Sequence, residues 1–232
     1  MIKGMKKLFL LLSLFCVTAI MNAQNKDVTK FLGIPVDGTK YEMITKLKAK
    51  GFRPSTYDRD VLQGEFNGRD VNLHIVTNNR KVYRIMVADN NPTSEANIRI
   101  QFNKLCRQFK NNEKYISLAE GDQTIPEDED ISYNMNVGKK RYQASFYQKI
   151  GEVDSVSMMN EVTQRILSNY TPEQLSNLSE EEKAEVSRKA VMWMLELFTK
   201  KSVWFIISEF QGEYYITMYY DNEYNMANGE DL

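Results

Sequence analysis

Histidine and cysteine are scarce in this chain: one His and two Cys among 232 residues. Cys16 falls in an N-terminal apolar run, so Cys106 is the single thiol downstream of it. A lone thiol closes no internal disulfide, and ordinary packing must hold the core. The histidine, His74, has no partner at His-x-x-x-His spacing, and no Cys-x-x-Cys pair exists, so no metal or cofactor is expected. Gly-x-Ser-x-Gly, Ser-x-x-Lys and glycine-rich phosphate loops are all absent. That removes the signatures of serine hydrolases and nucleotide enzymes. No apolar run after Ala23 nears the roughly 20 residues of a membrane span. A basic excess is also missing, with 30 Lys and Arg against 31 Asp and Glu. Nucleic acid is therefore not the expected partner, because phosphate binding needs a basic footprint.

What is present begins with an address. Lys3, Lys6 and Lys7 form a positive n-region, Leu8 to Ile20 a short apolar h-region, and Met21-Asn22-Ala23 a cleavage site before Gln24. This is the pattern of a secretory signal peptide over 1–23. Cys16 is no lipid-anchor site, because Phe15 stands where a small residue belongs. Export to the periplasm or beyond is expected, and removal of three lysines leaves the mature chain more acidic. The Ala23-Gln24 junction resembles that of exported Bacteroidetes proteins. Residues 24–232 suffice for one α+β domain, with subdomains at 31–150 and 151–232 as an option.

Periodicity sets the expected elements. Thr39 and Glu42 form a capping box before a short amphipathic helix that stops at Gly51. Val61–Phe66, Asn67-Gly68 and the alternation of Val71, Leu73 and Ile75 read as a hairpin with a type I′ turn. After Asn78-Asn79, Tyr83, Ile85 and Val87 add a third strand. Pro92-Thr93-Ser94 opens a helix with Ile98, Phe102, Leu105 and Phe109 on one face, and Cys106 beside that stripe as a small buried hydrophobe. Residues around Tyr115 to Leu118 read as strand, and Glu127–Asp130 as a solvated acidic loop. Ile131–Val137 and Arg141–Ile150 read as a hairpin turning at Gly138. Helices follow through Met158, Val162 and Ile166, after Thr171-Pro172, and from Ser179 to about Lys200 with Val186, Ala190, Trp193 and Leu197 on one face. Val203–Phe210 and Tyr214–Tyr220 close the chain as a hairpin. The fold class is α+β: an antiparallel sheet of hairpins with helices on one face. Glu65-Phe66-Asn67-Gly68 echoes Glu209-Phe210-Gln211-Gly212, which admits two helix-then-hairpin units.

The segment Phe31-Leu32-Gly33-Ile34-Pro35-Val36-Asp37-Gly38-Thr39, leading to Leu47 and Gly51, resembles the opening of small exported helix-plus-sheet domains. It is similar to the SmpA/OmlA outer-membrane lipoprotein family and to the β-lactamase-inhibitor-like fold, over Phe31 to roughly Ala88. The resemblance implies a binding or assembly module without catalysis, and it transfers no site residue.

Trp204, Tyr214, Tyr215, Tyr219 and Tyr220 make the last hairpin strongly aromatic, which suits contact with a protein or glycan of the cell envelope. A hydrolase acting on glycan or peptide, with carboxylates assembled only in the fold, is the alternative. It requires two acids about 5–9 Å apart in a cleft. A surface-structural protein, self-associating through an open strand edge, is a third reading. Two acidic clusters, Asp122 with Glu127, Asp128 and Asp130, and Asp221 with Glu223, Asn225 and Asn228, read as solvated loops rather than calcium sites, and the second fails the EF-hand pattern because Met226 stands where the sharp-turn glycine belongs. Asp154-Ser155-Val156 fits a short O-glycosylation pattern with Ser155 as acceptor. Cys106 and His74 lie inside regular elements without a nucleophile motif.

Overall fold

Residues that tolerate left-handed backbone set the turns. Asn67 (φ 53°) and Gly68 (φ 76°) form a two-residue turn, as do Gln211 (φ 56°) and Gly212 (φ 81°), the conformation a type I′ hairpin requires. The third tight turn is centred on Asn79 and Arg80, one residue later than Asn78-Asn79. The computed structural model describes residues 27–227 and 229. The signal-peptide segment, its cleavage junction and Asn228 lie outside the described residues.

The strands are β1 (Lys30–Phe31), β2 (Ile34–Pro35), β3 (Arg53–Pro54), β4 (Val61–Phe66), β5 (Arg69–Asn78), β6 (Lys81–Asp89), β7 (Tyr115–Ile116), β8 (Gln143–Gln148), β9 (Ser202–Phe210) and β10 (Glu213–Asp221). The helices are α1 (Lys40–Ala49), α2 (Glu95–Lys110), α3 (Ile131–Asn136), α4 (Glu152–Asn169), α5 (Pro172–Ser176) and α6 (Glu180–Thr199). β1 and β2 pair as a small hairpin, and the rest form one antiparallel 8-stranded sheet in the order β3-β4-β5-β6-β10-β9-β8-β7. The protein is thus α+β. Two four-strand meanders, each preceded by a helix, meet where β6 pairs with β10. The Glu-Phe-x-Gly echo does not follow this repetition. It marks the β4–β5 turn in one half and the β9–β10 turn in the other, and the third strand-to-fourth-strand turn is its counterpart only in the second half. Phe210 is also 61% exposed, whereas Phe66 packs against the core.

Capping chemistry fixes the helix starts. Thr39–Glu42, Thr171–Gln174 and Ser179–Glu182 each make a reciprocal capping box, which satisfies two otherwise orphaned backbone donors. α1 buries Met43 and Leu47, and α2 buries Ile98, Phe102, Cys106 and Phe109. Cys106 therefore lies on the buried stripe, with Leu105 only partly covered. The helices pack on the sheet face formed by Leu73, Ile85, Phe205 and Met218, in one cluster. Phe31 sits between Phe52, Phe66 and Tyr220, with ring centroids 6.4, 5.1 and 4.9 Å away. Gly64 lets Phe52 lie flat on β4, since a Cβ there would meet the ring at 2.5 Å. Strands from both sides of residue 151 share this sheet and core, so the optional division at 31–150 and 151–232 separates no two cores.

One expectation is corrected here. Ile131–Asn136 is helix, not strand. The Asp130 carboxylate accepts from the Tyr133 amide at 2.7 Å, an N-cap that outweighs the alternating pattern. Ile131 and Met135, one turn apart, then both face the core. The acidic run is a loop with Glu127, Asp128 and Asp130 exposed, as expected, and Glu129 half-buried. The Arg99 guanidinium donates to the carbonyls of Glu127 and Glu129. Lys140 and Tyr142 both donate to the Glu129 carboxylate at 2.5 Å. Burial and that carboxylate push the Tyr142 phenol up to about 12.

Candidate binding face of the sheet

Alternation along a strand sends successive side chains to opposite faces, and this parity sorts the aromatic hairpin. Tyr214, Ile216, Met218 and Tyr220 share the helix-covered face, and Tyr214 and Tyr220 are each only 4% exposed. These two tyrosines are core residues, so their assignment to a contact surface is corrected. Burial also pushes the Tyr220 phenol well up. Tyr215, Thr217 and Tyr219 point the other way, as does Trp204 across the ladder.

Register aligns this second face into rows. His74, Met86, Tyr219, Trp204 and Ser145 lie side by side across β5, β6, β10, β9 and β8. Asn72, Ala88, Thr217, Ile206 and Gln143 form the adjoining row. At the usual strand spacing each row spans about 19 Å. Thr217 is buried and Gln143 exposed, while the other positions are half-buried and keep part of their surface in solvent. None of them is Asp, Glu, Lys or Arg, in a chain of which 26% is charged. Burial also lowers the His74 imidazole's affinity for a proton.

A rigid cluster anchors the face. The Trp204 and Tyr219 rings stack at 4.0 Å with planes 17° apart. The Arg84 guanidinium lies 4.8 Å from the Tyr219 ring centre and 5.6 Å from that of Trp204. It is fixed by two hydrogen bonds to Asp221, of 2.6 and 2.7 Å. The Trp204 indole N–H donates to the same carboxylate at 2.9 Å. Bidentate Arg–carboxylate geometry of this kind combines strength with fixed orientation, and it raises the Arg84 pKa further. The pair neutralises itself, so the cluster presents aromatic surface without net charge. Rings stacked across neighbouring strands stand on the sheet, with their edges outward.

The remaining candidates have structural partners. Cys106 is buried, and desolvation pushes its thiol up to about 12. Asp221 is committed to Arg84 and Trp204, and the Asn225 amide donates to Asp37 and to the Val82 carbonyl. Among the described residues, no group of three or more His, Cys, Asp or Glu could hold a metal ion, and no helix is long and apolar enough to cross a membrane. Ser155 lies in the first turn of α4, where its hydroxyl donates to the Gly151 carbonyl at 3.0 Å. Sequence reasoning missed Arg84 and placed Asp221 only in an acidic cluster, because the two are 137 positions apart. It also missed Met86 and His74 as row partners of Tyr219. Comparison with protein families, curated proteins and solved structures finds no match for this chain.

Proposed function

We propose that the protein is an exported, non-enzymatic binding module that docks an envelope protein on the open face of its sheet. The observation that carries this reading is the uncharged row through Met86, Tyr219 and Trp204, held rigid by the Arg84–Asp221 pair. Interface centres are depleted of charge and enriched in Tyr, Trp, Met and Arg. Preorganised aromatics lose little entropy on binding. A protein partner fits better than a glycan. Sugar rings stack on exposed aromatic faces, whereas Tyr219 and Trp204 spend a face each on one another. The resemblance of Phe31 to Ala88 to exported helix-plus-sheet domains points the same way.

The hydrolase alternative draws less support. In the cleft on the other side of the sheet, Asp27 is ion-paired to both Lys30 and Lys201. Burial alone would raise its pKa, but the two lysines hold it below the ordinary carboxylate range. It is therefore a poor proton donor. Edge-to-edge assembly is opposed as well. The Gln123 side chain accepts from the Ser145 amide at 2.8 Å and donates to its carbonyl at 3.1 Å. That occupies β8 backbone groups a second chain would need. The test is affinity capture from the cell envelope with a Tyr215→Lys/Ser145→Lys bait. We expect a discrete protein partner with the unaltered chain and its loss with the variant. Equal capture by both baits would reject the face.

A further inference from the structure

On the helix-covered side, a cleft of about 1260 Å³ opens between the β1–β2 hairpin, the β4–β5 turn, the end of α2 and the β7–β8 edge. It exceeds the about 300–1,000 Å³ of ordinary small-ligand clefts. Phe66, Leu105, Phe109, Met218 and Tyr220 line it. Phe109 is backed by Phe146 in a stack at 4.9 Å, so the wall is preformed. The polar groups at its base are already satisfied by one another. The Gln148 amide exchanges two hydrogen bonds of 2.7 Å with the Lys30 backbone and donates to the Tyr115 hydroxyl at 3.2 Å. A polar ligand would find few unused partners there, whereas an apolar chain would displace only water.

One end of the cleft is cationic. The Lys149 amide donates to the Lys114 carbonyl at 2.8 Å, and the Lys201 ammonium to the Lys149 carbonyl at 3.1 Å. With Lys30, whose backbone amide donates to Gln148, four lysine residues border the β7–β8 end. Lys30 and Lys201 share Asp27. The ammonium groups of Lys114 and Lys149 have no ion pair among the described residues. Glu65 and Glu113 also border the cleft, so the described charged lining residues are four lysines and three carboxylates.

We propose that this cleft binds a single-chain amphiphile with an anionic head, of the long-chain carboxylate class, its head at Lys114 and Lys149 and its chain along Phe109, Leu105 and Phe66. The site is independent of the open sheet face. The experiment is displacement of the fluorescent probe cis-parinaric acid from the purified protein. Palmitate, hexadecanol and phosphatidylglycerol vesicles serve as competitors. We expect saturable probe binding and displacement by palmitate. Lys114→Gln/Lys149→Gln should weaken palmitate about fivefold, on the usual size of two exposed charge contacts, and leave hexadecanol unchanged. Leu105→Trp, which fills the cleft, should weaken both. Circular dichroism establishes that each variant folds. Absence of saturable probe binding overturns the proposal. So does a palmitate affinity within threefold of the parent in the lysine variant, or displacement by vesicles but not by palmitate.

Discussion

Replacing Asp221 with Asn tests whether the open face is organised as described. The Asp221 side chain is 4% exposed and that of Arg84 22%. Asn has nearly the same shape, but it removes the charge and turns an amide donor toward one of the three N–H groups now bound. Breaking a buried ion pair by removing one partner costs about 3–5 kcal/mol. Arg84 regains some hydration through its exposed part, so we expect about 2–4 kcal/mol. With a urea m-value of about 2–3 kcal/mol/M, the midpoint should fall by about 1 M. Urea unfolding followed by tryptophan fluorescence reads this, since Trp204 is one of only two tryptophans. Arg84→Met completes a double-mutant cycle. The two changes together should cost about 1.5–3 kcal/mol less than their sum, because the second removes a charge the first left unpaired. A loss below about 0.5 kcal/mol for Asp221→Asn, the range of a neutral surface change, would refute the arrangement.

Other consequences are as direct. Gln123→Ala should free the Ser145 backbone on the β8 edge and raise concentration-dependent association in sedimentation velocity above that of the parent; association equal to the parent's would count against the edge-capping role. Cys106 should resist thiol reagents at pH 8 in the native protein and react on unfolding. Its folded pKa of about 12 lies above that of an unfolded thiol. The unfolded chain therefore gives up the proton first, and stability should fall as pH rises from about 8.5, by up to about 1.4 kcal/mol per unit. His74 titrates with the opposite sense. Burial lowers its folded pKa, so the unfolded state takes the proton first. Stability should then decline as pH drops through about 6.5. The imidazole NMR signal of this single histidine should titrate below that value.

Local chemistry was the legible part of the fold. The capping boxes at Thr39, Thr171 and Ser179 and the turn at Asn67-Gly68 depend on residues within four positions of one another, and each formed as the sequence implies. The strand expected over Ile131–Val137 failed because so short a run cannot separate a period of 2 from one of 3.6. The pairing of β6 with β10, which joins the two meanders, leaves no local trace. Neither does the Arg84–Asp221 pair that depends on it. The aromatic hairpin was half legible. Parity splits its tyrosines, and Ile216 and Met218 mark the face of Tyr214 and Tyr220 as the buried one. That signal was available in the alternation. The neutrality of the opposite rows was not, because it arises from five strands lying in register.

Site-specific photocrosslinking in the living cell tests the central claim most directly. The photoreactive residue is placed at Tyr215 on the open face, and as a control at Tyr57, which is 96% exposed and lies outside the rows. The account predicts a discrete protein adduct from position 215 that disappears when Ser145→Lys is added, and none from position 57. Equal adducts from both positions, or none from Tyr215 in a correctly folded chain, would contradict docking on the sheet face.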